Sequence, residues 1–261
     1  MPSATSVRTP WRRLLALEGL RVVMVARRAE RLERIASEIR AAGGEAVALA
    51  ADLADETERL RLYDEVRERC GPVDVLVNNA GLGWYGYAAD MPWAVAREMI
   101  GVNAAALVHL SLLCLREMRL RDSGRIINVS SVVGGLPSQG VALYGATKAM
   151  VDAFTTALHR ETRGTKVSVS DIRPGAVATE FFRTAAARPA GRPIPAERFG
   201  VPPERVAAGI WRLLRKPRRT VYIPGLLKFV PWVELLFGWL IDRLGPLLLR
   251  RSRLPAHTGP A

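Results

Sequence analysis

Short apolar segments alternate with amphipathic ones along most of this chain. Arg21–Ala26, Ala46–Ala50, Val73–Asn78, Ile126–Ser130, Val167–Arg173 and Val221–Ile223 read as strands. Between them lie helix-period stretches: Ala29–Ala42, ended by Gly43-Gly44; Asp55–Arg69, stopped by Gly71-Pro72; and Val141–Arg163. Trp93 to Arg121 holds one or two further helices, ended by Asp122-Ser-Gly124. Strands that read as apolar runs are buried on both faces, and parallel strands need helical crossovers. The alternation therefore predicts an α/β fold, a doubly wound parallel sheet covered by helices on both sides.

With 261 residues and 49% hydrophobic composition, a single domain with a large core is expected. Cys70 and Cys114 are the only cysteines, so no disulfide framework is implied, and no Cys/His cluster has metal-ligand spacing. The formal charge is +13, and all but four of the 38 basic residues are arginine. These arginines are scattered rather than striped among aromatics, so no nucleic-acid partner is expected; attraction to anionic phosphates or lipid remains open. The apolar piece Leu14–Leu20 is short and contains Glu18, so no signal peptide is read, and charges interrupt the long apolar runs. A cytoplasmic location follows as an expectation.

The chemistry gathers around Tyr144-Gly-Ala-Thr-Lys148, which follows Arg125-Ile-Ile-Asn-Val-Ser-Ser131. A tyrosine and a lysine four apart project from one helix face, which sets an ammonium beside a phenol. A free phenol ionises near pH 10, and a nearby positive charge favours the phenolate. Such a phenol can exchange a proton with a substrate oxygen, and a serine at a strand end can hold that oxygen. Reversible carbonyl/alcohol chemistry needs this set, although Tyr-x-x-x-Lys alone is common on ordinary helix surfaces.

Further segments accompany it in order: Asp74-Val-Leu-Val-Asn78-Asn79-Ala80-Gly81, Gly101-Val-Asn103-Ala, and Pro174-Gly175 leading to Thr179. From about Arg21 to Ile223 the chain resembles the short-chain dehydrogenase/reductase family. The resemblance implies a Rossmann-like sheet, a nicotinamide dinucleotide and a small carbonyl or alcohol substrate. It implies Tyr144 as proton donor, Lys148 lowering the phenol pKa and holding the nicotinamide ribose, and Ser131 orienting the substrate oxygen. Asn103 would anchor a water linking Lys148 to solvent. Ser130 could replace Ser131, but family spacing to the tyrosine selects Ser131.

The start of the chain departs from the family, whose members open with an apolar strand and a Gly-x-x-x-Gly-x-Gly turn that admits phosphate. Counting back from Gly19, the three glycine positions fall on Pro2, Ser6 and Arg8, and Ser3-Ala-Thr-Ser6 looks like a displaced remnant. The first, central strand is expected to be absent, leaving the Arg21 strand beside a gap. This motivates an alternative in which the chain is an impaired, truncated or frame-disrupted family member, inactive or acting as a binding protein. A nucleotide-sugar epimerase also uses Tyr-x-x-x-Lys, but the chain is short for one.

For the cofactor, the carboxylate that would hold the adenosine ribose of NAD is replaced by Ala26, followed by Arg27-Arg28. Arginine pairs well with a 2′-phosphate, so NADP(H) is expected, with Arg27 as the contact unless it simply faces solvent. By resemblance Asp52 and Leu53 would meet the adenine, and Asn78 and Gly81 would line the cofactor. Pro174, Gly175, Val177 and Thr179 would meet the nicotinamide end, with Tyr144 and Lys148.

Residues 1–223 are expected to form the reductase domain, atypical over 1–20, and 224–261 an apolar helical extension. Thr179–Pro203 is polar and rich in Arg, Ala and Pro, a loop that is either simply solvated or, as the family resemblance implies, a mobile lid over the substrate. Trp84, Tyr85 and Tyr87 are either core or the wall of an apolar pocket. Pro231–Pro246 reads as one proline-bounded apolar helix. It packs on the fold or a second subunit, or it lies at a membrane interface with Trp232 and Trp239 at headgroup level. A homo-oligomer, peripheral membrane contact and a lipid-like substrate complete the expectations.

Overall fold

The computed structural model describes residues 19–193 and 200–248. The expectations for the glycine-turn positions Pro2, Ser6 and Arg8 lie outside the described residues, as does part of the Thr179–Pro203 segment.

The strands are β1 (Arg21–Ala26), β2 (Glu45–Ala50), β3 (Val75–Asn78), β4 (Gly124–Val129), β5 (Val167–Pro174) and β6 (Thr220–Ile223). All described pairings are parallel, in the orders β1-β2 and β3-β4-β5-β6. Among the described residues β1 and β2 pair only with each other, apart from the four-stranded β3-β4-β5-β6 sheet; the expectation of an absent first strand falls on residues 1–18, outside the described residues. The helices are α1 (Ala29–Ala41), α2 (Glu56–Cys70), α3 (Trp93–Ile100), α4 (Leu107–Leu120), α5 (Ala142–Glu161), α6 (Phe181–Ala186), α7 (Pro203–Arg215) and α8 (Val230–Leu248).

Neighbouring residues on a strand point to opposite faces, and β4 shows the result. Ile126 packs with Cys114, Leu115 and Met118 of α4 and Leu158 of α5, whereas Ile127 packs with Val206 and Leu213 of α7 and Ile223 of β6. Full burial of one such side chain stabilises the fold by about 1.5–3 kcal/mol, so β4 joins both helical layers. The β1-β2 leaf has smaller clusters of its own, one built on Ala36, Ile39 and Ala46 and another on Leu49, Ala51 and Leu62.

Helices α3 and α4 form one rod interrupted by a π-helical turn, Gly101–Ala106. The buried positions explain it. Val95, Met99, Asn103, Leu107, Ser111 and Leu115 recur every four residues. A plain α-helix would carry such a stripe about 40° round at each step. The wider turn takes up the drift and keeps the stripe on the core. The rod Trp93–Leu120 is also long and apolar enough to cross a membrane, contrary to the expectation that charges break every long apolar run; half of its most apolar window is buried inside the fold.

Candidate active site

The site lies at the carboxyl ends of β3, β4 and β5. Ser131 follows β4 and caps the short 3₁₀ turn Val132–Gly134, its Oγ accepting from the Val133 N–H at 3.4 Å and donating to the Pro174 carbonyl at 3.4 Å. That turn rests directly on α5: a β-carbon at Gly134 would lie 2.6 Å from Asp152 Oδ2, so a larger residue would push the helix away. Tyr144 and Lys148 stand on the first turns of α5, with the Lys148 Nζ 5.8 Å from the Tyr144 ring centroid.

Burial sets the titration of both groups. It pushes the Tyr144 phenol up to about 12, while a hydrogen bond with Ser131 works the other way. It pulls the Lys148 ammonium down to about 8 against the opposing charge of Asp152. The expected lowering of the phenol by Lys148 is therefore corrected: desolvation dominates, and the ammonium is turned to the Val129 carbonyl, to which it donates at 2.9 Å. Ser130, the alternative serine, donates to the Lys148 carbonyl at 3.2 Å. Ser131 is thus the serine against Tyr144, and Ser130 fastens the strand to the helix.

Behind Lys148 lies an ionic cluster that the strand reading did not anticipate. Arg173 reaches Asp171 at 2.5 Å and Asp152 at 3.2 Å, and its guanidinium donates to the Tyr222 hydroxyl at 3.2 Å. Burial lifts the Asp152 carboxyl to about 6, although Ser130 and Arg173 favour its charged form. An Asp four residues after the lysine on one helix, and an Asp two residues before an Arg on one strand, were the available signals.

Asn103 sits in the π-helical turn, almost fully buried. Its Oδ1 accepts from the Leu82 N–H at 2.7 Å, and its Nδ2 donates to the Leu82 carbonyl at 2.9 Å and to Thr147 Oγ1 at 3.2 Å. The side chain thus clamps the loop after β3, with both Nδ2 hydrogens and one lone pair of Oδ1 engaged. Asn78 is likewise committed inward: Nδ2 donates to Ser111 Oγ at 2.9 Å and Asn128 Oδ1 at 2.8 Å, and Asn128 donates on to Thr155. Buried amides need such partners. This one ties β3 to β4 and α4.

The remaining expected cofactor residues also line the strand ends. Gly81 lies over Lys148: a β-carbon there would sit 3.7 Å from both Lys148 Nζ and Asn103 Oδ1. Pro174 ends β5 beside Ser131, and the Gly175 N–H donates to the Ile223 carbonyl at 2.9 Å. Val177 pairs with Val201 and packs in the Ile127 cluster, so its side chain serves the core. Thr179 Oγ1 accepts from the Phe181 N–H at 3.3 Å. Asp52 Oδ1 accepts from the Ala54 N–H at 3.0 Å, and the Leu53 carbonyl receives Arg59 at 2.7 Å. Arg27 lies at the end of β1, half exposed and paired with Glu98 at 2.7 Å.

Of the aromatics, Trp84 is core: it is buried among Val95 and Met99 and donates to the Pro189 carbonyl at 3.0 Å. Within the expected lid, α6 brings Phe181 to 5.5 Å from the Tyr144 ring, centroid to centroid. Phe181 is a wall of the site that sequence reading passed over. Arg28 and Arg31 reach Glu180 at 3.5 and 2.7 Å, joining the end of β1 to the lid.

These residues fit a nicotinamide dinucleotide at one end. The bare backbone at Gly81 and a buried ammonium form a cradle for a ribose, and Arg27 provides a cation at the strand end. Among the described residues no group of three or more His, Cys, Asp or Glu side chains could hold a metal ion.

The short chain dehydrogenase profile matches residues 12–190. A 3-oxoacyl-[acyl-carrier-protein] reductase of Synechocystis sp. is 33% identical over 81% of this chain and 85% of its own. The ketoacyl reductase HetN of Nostoc sp. is 36% identical over 63% of this chain, and the match spans only 58% of that protein. Among solved structures, a short-chain dehydrogenase from Sphingobium yanoikuyae in complex with NADPH superposes with a TM-score of 0.75 at 25% identity, covering 95% of this chain and 93% of that one.

Proposed function

The chain belongs to the short-chain dehydrogenase/reductase family, and on that premise we propose that it is an NADP(H)-dependent oxidoreductase of an apolar, lipid-like carbonyl or alcohol. The observation that carries the reading is the meeting of Ser131, Tyr144 and Lys148 at one end of the sheet. A phenol held up near 12 is protonated at neutral pH, which suits the reducing direction, where Tyr144 gives its proton to the substrate oxygen. The hydrogen bonds of Ser131 with Pro174 and Val133 are long, so its hydroxyl can turn to the same oxygen. Lys148 spends one of its three N–H donors on Val129, leaving two for a ribose hydroxyl and a water.

When bound, the nicotinamide supplies the hydride. We assign Arg27, Asp52, Leu53, Asn78, Gly81, Pro174, Gly175, Val177 and Thr179, with Tyr144 and Lys148, to the walls of its cleft. Asn103 acts by holding the loop over Lys148. The NADP preference rests on Ala26 and Arg27 and is supported by the NADPH complex among the structural relatives. The apolar substrate class is supported by Phe181 and by the oxoacyl relatives. Residues 1–223 would form the reductase unit and 224–261 an extension; a homo-oligomer in the cytoplasm, in peripheral contact with a membrane, completes the reading.

Titration of the full chain with NADPH and NADH, followed by reduction of a series of medium- and long-chain ketones, tests it. Saturable NADPH binding with turnover abolished by Tyr144→Phe is expected. Undetectable binding of either dinucleotide would favour the impaired, binding-protein alternative.

A further inference from the structure

We infer that α8 is a bilayer-docking surface, and that its outward face lies on a membrane containing anionic lipid. This deepens the peripheral contact proposed above and rests on it. The helix is built inside out. Among residues 230–240 its half-buried side is Val230, Pro231, Glu234 and Gly238, one stripe at helical spacing, whereas Trp232, Val233, Leu235, Leu236, Phe237, Trp239 and Leu240 are exposed. Trp232, Leu235, Leu236 and Trp239 are 58%, 73%, 59% and 66% exposed. A helix that packs on its own fold shows the reverse pattern.

The breadth of this face selects the occupant. At 100° per residue, Leu235, Trp239, Trp232, Leu236, Leu240 and Phe237 cover an arc of about 200°. A packed helix covers a stripe of about 100°, so one helix of a second copy would leave much of the arc in water. A bilayer surface receives a broad face, with tryptophans at the headgroup level. The exposed Leu226 and Phe229 of the preceding 3₁₀ turn, Gly225–Phe229, extend the same surface.

Charge selects the lipid. The chain carries +13, Lys228 precedes the exposed apolar residues Trp232–Leu240 and Arg243 follows them, and the sequence continues with Arg250, Arg251 and Arg253. Basic residues beside an apolar helix favour anionic headgroups. Glu234, Asp242 and Arg243 argue for lying on the bilayer rather than crossing it.

The root of the helix abuts the site. A β-carbon at Gly175 would lie 2.9 Å from Leu227 Cδ1, and one at Gly135 would lie 3.2 Å from Pro231 Cγ. The docked protein would therefore hold the loops after β4 and β5, which carry Ser131 and Pro174, close to the lipid.

Flotation of the full chain with vesicles of phosphatidylcholine, alone or mixed with phosphatidylglycerol, tests the inference without cofactor or substrate. Failure to float thus leaves the reductase reading untouched, and an inactive protein that floats leaves this inference standing. The expected result is flotation with the mixed vesicles, weakened about tenfold in the L235E/W239E double variant, whose new side chains point to solvent. In the unaltered protein, brominated acyl chains should quench tryptophan emission. Absence of flotation and quenching would overturn the inference. So would equal flotation of the double variant, or a vesicle-indifferent dimer that the double variant converts to monomer.

Discussion

Lys148 and Tyr144 share one face of α5, yet the ammonium stands 5.8 Å from the ring centroid and donates to the Val129 carbonyl instead of the phenol. The pair is thus a protonated phenol beside a buried cation rather than a phenolate held by its partner.

Tyr144→Phe should keep the ring against Phe181 and lower kcat/KM for ketone reduction by about 10²–10⁴-fold, the usual range for loss of one acid–base group. NADPH affinity should change only a few-fold. Steady-state kinetics with a parallel binding titration measures both, and full activity in the variant would remove Tyr144 from the mechanism.

Lys148 makes a prediction about stability and pH. Its ordinary value is 10.5 and burial brings it to about 8, so the unfolded chain holds this proton more tightly than the folded one. The folded state therefore bears a cost below pH 8 that disappears as pH rises past the unfolded value. Relative to Lys148→Met, the unaltered protein should gain about 3 kcal/mol over that interval. Paired urea titrations read the difference, and a flat difference would show that the ammonium is not desolvated. The variant should also lose turnover.

Arg27→Ala should weaken NADPH binding by about tenfold or more while leaving NADH nearly unchanged, since each factor of ten needs only about 1.4 kcal/mol. The guanidinium is already paired with Glu98, so Glu98→Gln should move the preference further toward NADPH. Equal losses for the two dinucleotides in Arg27→Ala would assign the arginine to the fold instead.

Asn103→Ala should cost about 1–3 kcal/mol for each Leu82 group left without a partner, and thermal unfolding will show it. A clamp on the loop should raise KM for cofactor more than it lowers kcat. The opposite split would place Asn103 in the proton path.

The choice of Ser131 beside Tyr144 came from the family resemblance, whereas the sheet and its parallel sense were legible because apolar strand runs and helix spacing are local signals. The apolar helix at Val230–Leu248 was legible for the same reason. What escaped depends on three-dimensional packing. Asp171 and Arg173 share one face of a strand that reads as mostly apolar, and only the fold brings Asp152 to Arg173. The phenol of Tyr144 was read from its charged neighbour, whereas burial, invisible in sequence, governs it. Asn78 read as a cofactor residue because its turn is distinctive, whereas the inward hydrogen bonds of its Nδ2 to Ser111 and Asn128 could not be read from the sequence.

The π-helical turn at Gly101–Ala106 has a consequence for chain length. It holds one residue more than a plain helix needs to bridge α3 and α4, and removing that residue would rotate everything downstream by about 100°. Ser111, Leu115 and Met118 would swing off the core together, and Asn103 would lose its hold on Leu82. The rod should therefore accept many substitutions along its outer face but no single-residue deletion. In this part of the molecule, the number of residues is as much a functional specification as their identity.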